Sequence, residues 1–281
     1  MTSVNYYVLW DSINSGGEDS SSSTNYQLRD TIGEQATGVS SSTNYTVGAG
    51  YRQGVAEPTV LSFNVGTQED ATQSAWSSFS NAGKTVTVVS VASYSLGNFI
   101  AVVENEGLSE VVAFGKITDI TGSTITVDDW EGSPASISAS PAGGDDYVYR
   151  MEGSSVAFGT LTPADGKTSL THSSIISNAQ NGYTMYVNTD GSLRTATSVI
   201  GAVTDGTVTV GSEEYGGQVF GTTATSTGSD FGLSTSTRAI QQSTTFANDD
   251  RIVLVYKISV GSFTGAGSYS QEVYYTVTAN F

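Results

Sequence analysis

One histidine, no cysteine and 27 carboxylates bound the chemistry open to this 281-residue chain. The histidine, His172, stands in Leu170-Thr-His-Ser, a stretch that reads as a strand. A Ser/His/Asp relay would have to use it, yet no Gly-x-Ser-x-Gly elbow is present to offer the serine. We therefore expect His172 to face solvent. A single histidine without cysteine cannot assemble a usual zinc site. The Gly-rich segments lack the Lys and following helix of a phosphate-cradling loop.

The acids offer more. Six doublets recur along the chain: Glu18-Asp19, Glu69-Asp70, Asp128-Asp129, Asp145-Asp146, Glu213-Glu214 and Asp249-Asp250. Calcium takes roughly six to eight oxygens at about 2.3–2.6 Å, commonly from loop carboxylates and carbonyls. Asp128, Asp129 and Glu131, joined by Asp145 and Asp146, form the best candidate cluster. Neither EF-hand nor Gly-Asp nonapeptide spacing supports it, so solvated turn carboxylates are the simpler reading, and no cofactor is required. Two acids about 5–10 Å apart would serve a glycosidase, but no motif selects a pair, and we do not expect an enzyme. An intramolecular Lys–Asn isopeptide bond needs a buried lysine beside an asparagine and an acid. Lys257 and Lys116 lie in predicted strands, where we expect both to face water.

Those side chains must be positioned by β-structure. Gly-containing turn dipeptides, four prolines and a low charged fraction of 13% describe a folded all-β chain with Ser, Thr and Gly in its polar positions. In residues 1–58, Ser23-Thr-Asn-Tyr-Gln-Leu returns as Ser42-Thr-Asn-Tyr-Thr-Val, and Tyr6, Val8 and Trp10 alternate in an earlier strand. The serine run Ser20–Ser23 reads as a flexible loop. Residues 59–150 carry several short strands, including a hairpin over Lys116–Trp130, and predict a small SH3-like barrel. Residues 151–281 predict a β-sandwich of jelly-roll or immunoglobulin-like type. Its strands are expected at Ser155–Leu161, Leu170–Ile176, Tyr183–Asn188, Thr207–Val210, Ile252–Val260 and Tyr269–Phe281. In the closing strand Val273, Tyr275, Val277, Ala279 and Phe281 share one face, the pattern of a strand buried on one side. We expect a domain completed by that strand, without wall-sorting signal, membrane helix or lipidation motif after it.

The formal charge of −17, from 27 acids against 10 bases, disfavours nucleic acid and anionic membranes, since phosphate contact requires clustered Lys and Arg. No stretch nears the roughly 18 apolar residues of a membrane span. Absence of cysteine excludes disulfides, and the Ser/Thr/Gly/Tyr-rich, Lys-poor composition leans towards export. Met1-Thr-Ser-Val-Asn-Tyr-Tyr lacks the basic and apolar regions of a signal peptide, so an exported chain would be in its mature or renumbered form.

Val156-Ala-Phe-Gly-Thr-Leu-Thr-Pro163, Asn178-Ala-Gln-Asn-Gly-Tyr-Thr-Met-Tyr-Val187 and Gly267-Ser-Tyr-Ser followed by Tyr275-Thr-Val-Thr-Ala-Asn-Phe281 form an ordered series. The series resembles the C-terminal β-sandwich of secreted surface proteins of candidate-phyla bacteria. It is more distantly similar to WxL-type surface domains, although Tyr275-Thr-Val stands where that family has Trp-x-Leu. The resemblance implies an all-β fold at the bacterial cell surface and carries no catalytic residue.

From these features we expect an extracellular structural subunit that forms a homopolymer, a filament or surface layer, by β-strand addition. The expected interface comprises Tyr6, Tyr7, Val8, Trp10, Tyr26, Leu28, Tyr45, Tyr51 and Phe281, with Asn5–Trp10 or Tyr26–Ile32 as the donated segment. A monomeric adhesin binding cell-surface glycans through exposed aromatics is the alternative.

Overall fold

A computed structural model describes residues 59–225 and 228–281 in full, and before them the backbone of four short strands. The chain divides into two compact units, Met1–Pro58 and Thr59–Phe281, the first limit coinciding with the expected boundary at residue 58. In the first unit β1 (Gly16–Ser22) pairs antiparallel with β2 (Gln27–Ile32), and β3 (Gly38–Ser41) pairs with β4 (Thr46–Ala49). In sequence, one Ser-Thr-Asn-Tyr copy falls between the paired strands β1 and β2 and the other between β3 and β4. Ser20–Ser22, expected in a loop, belong to β1 instead. Ladder hydrogen bonds are made by the backbone, so a serine run can join a strand without an apolar face.

The second unit begins with β5 (Leu61–Ser80), 20 residues long, which takes part in two constructions. Its second half enters a closed circuit with β6 (Thr85–Val88), β7 (Phe99–Glu104), β8 (Val111–Thr121), β9 (Thr124–Val127) and β11 (Tyr147–Gly153). The pairings run β5–β6–β9–β8–β7–β11 and return to β5, closing a small barrel. The short β10 (Glu131–Gly132) adds to β8, and a 3-10 turn follows at Pro134–Ser136. The expected hairpin is formed by β8 and β9 around Gly122, whose φ of 62° suits a residue without a Cβ. Trp76, Phe79, Ile100, Ile125, Trp130 and Val148 fill the interior, as side chains do in barrels of few strands. The Phe79 and Trp130 ring centroids are 5.1 Å apart, and the Trp76 indole donates to the Val103 carbonyl at 3.0 Å.

The first half of β5 continues into a second sheet with β12 (Gly166–Ser177), β18 (Ala247–Ser259) and β16 (Glu214–Phe220). Facing it is a three-stranded sheet in the order β17 (Arg238–Ser243), β13 (Tyr183–Thr189), β19 (Val273–Ala279). The pair β14 (Leu193–Arg194) and β15 (Val199–Ile200) completes the elements. Ile175, Met185, Val219, Ile240, Leu254 and Tyr256 lie between the two sheets, making a β-sandwich. On the other face of β12 and β18, Leu170, Val253 and Val255 pack against Phe99, Phe114 and Tyr149 of the barrel wall. The central sheet is therefore covered on both sides, which explains the unbroken apolar run Ile252–Tyr256. The boundary expected at residues 150/151 falls inside β11, and β5 belongs to both the barrel and the sandwich.

Covering both faces also decides the place of His172. It is buried, not solvent-facing, with its ring centroid 4.4 Å from that of Phe99 and 4.8 Å from that of Phe114. Gly66 lies directly across from it on β5, where a Cβ would come within 2.2 Å of the Met151 carbonyl oxygen and 2.6 Å of His172 Nε2. Ser155–Leu161 and Thr207–Val210, expected as strands, carry no ladder and run as irregular segments. Val156, Phe158 and Leu161 nonetheless pack against the sandwich core.

Candidate assembly site

Each sheet ends at an edge, and the edges are finished differently. Beside β16, Ala202 and Phe231 form bridges to Tyr215 and Gly217. The edge of β17 is bridged by Ala224 to Gln241, and Thr225 and Gln242 add backbone hydrogen bonds to Ile240 and Thr223. β19 pairs with β13 from Tyr183↔Ala279 to Thr189↔Val273, and among the described residues no strand pairs with its other edge. Natural edges are commonly protected by Lys, Pro, a bulge or a covering segment. The seven residues of β19, Val-Tyr-Tyr-Thr-Val-Thr-Ala, contain no charge and no proline, and the register with β13 has no bulge.

Beside this edge the sandwich gapes. A groove of about 1420 Å³ is lined by Val65, Phe158, Leu161, Tyr215, Tyr256 and Tyr275, among others. The hydroxyls of Tyr256 and Tyr275 meet across it at 2.5 Å, joining the two sheets. On β5, Phe63 pairs with the core residue Ile175, so its ring points to the inner face, yet it is 47% exposed. Leu61 shares that face two residues earlier and is also exposed. The inner apolar face at the β5 edge is thus only partly covered, and the unpaired edge of β19 stands on the opposite sheet.

No family model, curated protein or solved structure matches the chain.

Of the residues expected at the interface, Tyr6, Tyr7, Val8, Trp10, Tyr26, Tyr45 and Tyr51 lie outside the described residues. Leu28 falls in β2, for which the backbone alone is described. The second candidate donor, Tyr26–Ile32, is largely committed to the β1–β2 hairpin, leaving it one edge for any further partner. Phe281 is exposed and follows the end of β19 at Ala279. The alternation expected for the closing strand is present: Val273, Tyr275, Val277 and Ala279 are half-buried, and Tyr274, Thr276 and Thr278 are exposed. Phe63 and Leu61 were missed as site residues, although Leu61-Ser-Phe-Asn-Val carries the same period-two signal.

The expected calcium cluster does not come together as a set. Asp128, Asp129 and Glu131 line a cleft of about 510 Å³ with Asp249, Asp250 and Arg251; Asp145 and Asp146 do not. Asp146 is buried elsewhere, accepting the N–H groups of Asn105 at 2.9 Å and Gly143 at 3.1 Å. Within the cleft the charge is already countered. The buried Arg251 guanidinium pairs with Asp128 at 2.5 Å and with Asp249, and Glu131 accepts the N–H and hydroxyl of Thr222 at 3.2 and 2.9 Å. Burial alone would raise the Asp128 and Asp249 carboxyls, but their hydrogen bonds, those from Arg251 foremost, hold both below the usual range. Asp249 has a φ of 67°, a left-handed conformation uncommon for a residue other than glycine, and contacts Ser174 and Arg251. Among the described residues no group of three or more acids and histidines is arranged to hold a metal ion.

Proposed function

We propose that the chain is a structural subunit of an extracellular filament or surface layer, and that subunits join by strand addition at β19. The observation that carries this reading is the unprotected, uncharged edge of β19 beside a partly open apolar groove. An incoming strand laid along that edge gains backbone hydrogen bonds from the sheet and places alternate side chains on the inner face. The segment Asn5-Tyr-Tyr-Val-Leu-Trp10 of a second copy has the required pattern, with Tyr6, Val8 and Trp10 on one face. Donor and acceptor are different surfaces, so the contact is head-to-tail and generates an open polymer. An export destination is supported by the Ser/Thr/Gly/Tyr-rich, Lys-poor composition.

The test is a change at the edge that spares the interior. Thr276 is exposed on β19, so Thr276→Lys adds a charge to the acceptor strand without entering the core. Its stability should stay within about 0.5 kcal/mol of the parent, as for other surface changes, while sedimentation shows large species replaced by monomer. A stable Thr276→Lys protein that assembles as fully as the parent would place the contact elsewhere. If the parent is itself monomeric and binds glycans, the adhesin reading replaces this one.

A further inference from the structure

Lys257, expected to face water, lies near the end of β18 on the face turned towards the barrel, with a side chain only 9% exposed. Its Nζ is 2.8 Å from Oδ1 of Asp230, itself 5% exposed, and donates to Oε1 of Gln218 at 2.9 Å. The other Asp230 oxygen, Oδ2, accepts the Val208 N–H at 2.8 Å. A third ionisable group is buried nearby, within the electrostatic reach of Lys257 but not bonded to it. Glu110 Oε2 accepts the hydroxyl of Thr168 at 2.5 Å, and Thr168 is the residue directly across from Lys257 in the β12–β18 ladder. Glu110 Oε1 is buried without a hydrogen-bond partner. Burial raises the Glu110 carboxyl to about 7, against the pull of hydrogen bonds from Thr168 and Gly107 and of the Lys257 charge.

As an ion pair, this arrangement returns little, because desolvation offsets most of the attraction. An amine and a carboxyl held in contact away from water are also placed for condensation, where fixed orientation replaces a bimolecular encounter. We propose that Lys257 and Asp230 form an intramolecular isopeptide bond, with Glu110 as the proton carrier. A proton first passes from the Lys257 ammonium to Asp230 Oδ1 along their hydrogen bond, giving a neutral amine and a carboxylic acid. The Nζ lone pair then attacks Cγ, and the C=O pair moves onto Oδ2, where the Val208 N–H stabilises the developing charge. Glu110, which is not in contact with Nζ, takes up the proton released from Nζ by way of the Thr168 hydroxyl bonded to its Oε2 and returns it to Oδ1. As the C=O bond reforms, Oδ1 leaves as water and Glu110 is regenerated. The sum is one amide and one water from an ammonium and a carboxylate, with no oxidant or co-reactant. The bond would tie the segment between β16 and β17 to β18, and does not depend on assembly at β19.

Intact-mass spectrometry of the full chain decides it, followed by tryptic mapping. The expected result is a chain lighter than its sequence by one water, with a branched peptide joining the segments that contain Lys257 and Asp230. Lys257→Met should keep the full sequence mass. Glu110→Gln retains an oxygen for the Thr168 and Gly107 hydrogen bonds, so it should fold, by circular dichroism, yet keep the full mass. A parent chain at its full mass overturns the bond and leaves a buried ion pair. So does a water loss mapped to Asp190-Gly191 or Asp205-Gly206, where succinimide formation sheds the same mass. Bond formation undiminished in Glu110→Gln would remove Glu110 from the mechanism.

Discussion

His172 shows how far a residue's role is set by what packs on it from elsewhere in the chain. Its neighbours Thr171, Ser173 and Ser174 are polar, and locally they suggest a wet strand. In the fold Phe99 and Phe114, more than fifty residues earlier, close over the ring. Burial lowers its pKa to about 3, so the folded state holds it neutral. Between pH about 6.5 and about 3 the unfolded chain takes up a proton that the folded chain refuses, and stability falls as pH falls through that window. Glu110 acts in the opposite sense. Its neutral form is favoured by folding, and that contribution is lost as pH rises from about 4.5 towards about 7. Comparison of the parent with His172→Met by urea unfolding isolates the histidine. Relative to the variant, the parent should lose about 2 kcal/mol between pH 7 and pH 5, at about 1.4 kcal/mol per pKa unit. A stability difference independent of pH would mean that His172 titrates normally in the folded protein. The Lys257–Asp230 contact was hidden for a similar reason: the sequence places the pair 27 positions apart, with nothing local to mark either as buried.

At the scale of elements, what the sequence revealed is what local periodicity can reveal. The apolar run at Ile252 marks β18, alternation marks β19, and a Gly turn between alternating runs marks the β8–β9 hairpin. The position of β12 is legible but its environment is not, because the polar Ser169, Thr171, His172 and Ser173 are buried by layers on both sides. β16 is not legible in the sequence, because its Gly216-Gly217 weakens the strand signal. A side chain at Gly216 would meet Val203 and the Phe231 carbonyl, so close packing demands the glycine there. The double use of β5 was also illegible, since a 20-residue strand that changes partners part-way looks like two strands in two domains. That sharing has a consequence for stability. Barrel and sandwich have a strand and a buried interface in common, so Thr59–Phe281 should unfold in one transition. Fluorescence of Trp76 and Trp130, both in the barrel core, should follow the same thermal curve as the far-ultraviolet circular dichroism of the whole unit. Separate midpoints would show that the two halves are energetically independent.

At the scale of the whole molecule, all-β architecture and low charge density were readable from composition, but the open edge was not, because edges are properties of topology. A formal charge of −17 makes copies repel. That repulsion acts within a Debye length of about 10 Å at 0.1 M salt, so assembly should strengthen as ionic strength rises or divalent cations are added. Negative-stain electron microscopy of the intact chain beside one lacking residues 1–35 tests strand addition most directly. Strand addition predicts ordered fibres or sheets from the intact chain and dispersed particles from the shortened one, whose Thr59–Phe281 unit remains folded. Dispersed particles from the intact chain, with and without calcium, or polymers from both chains, would contradict it.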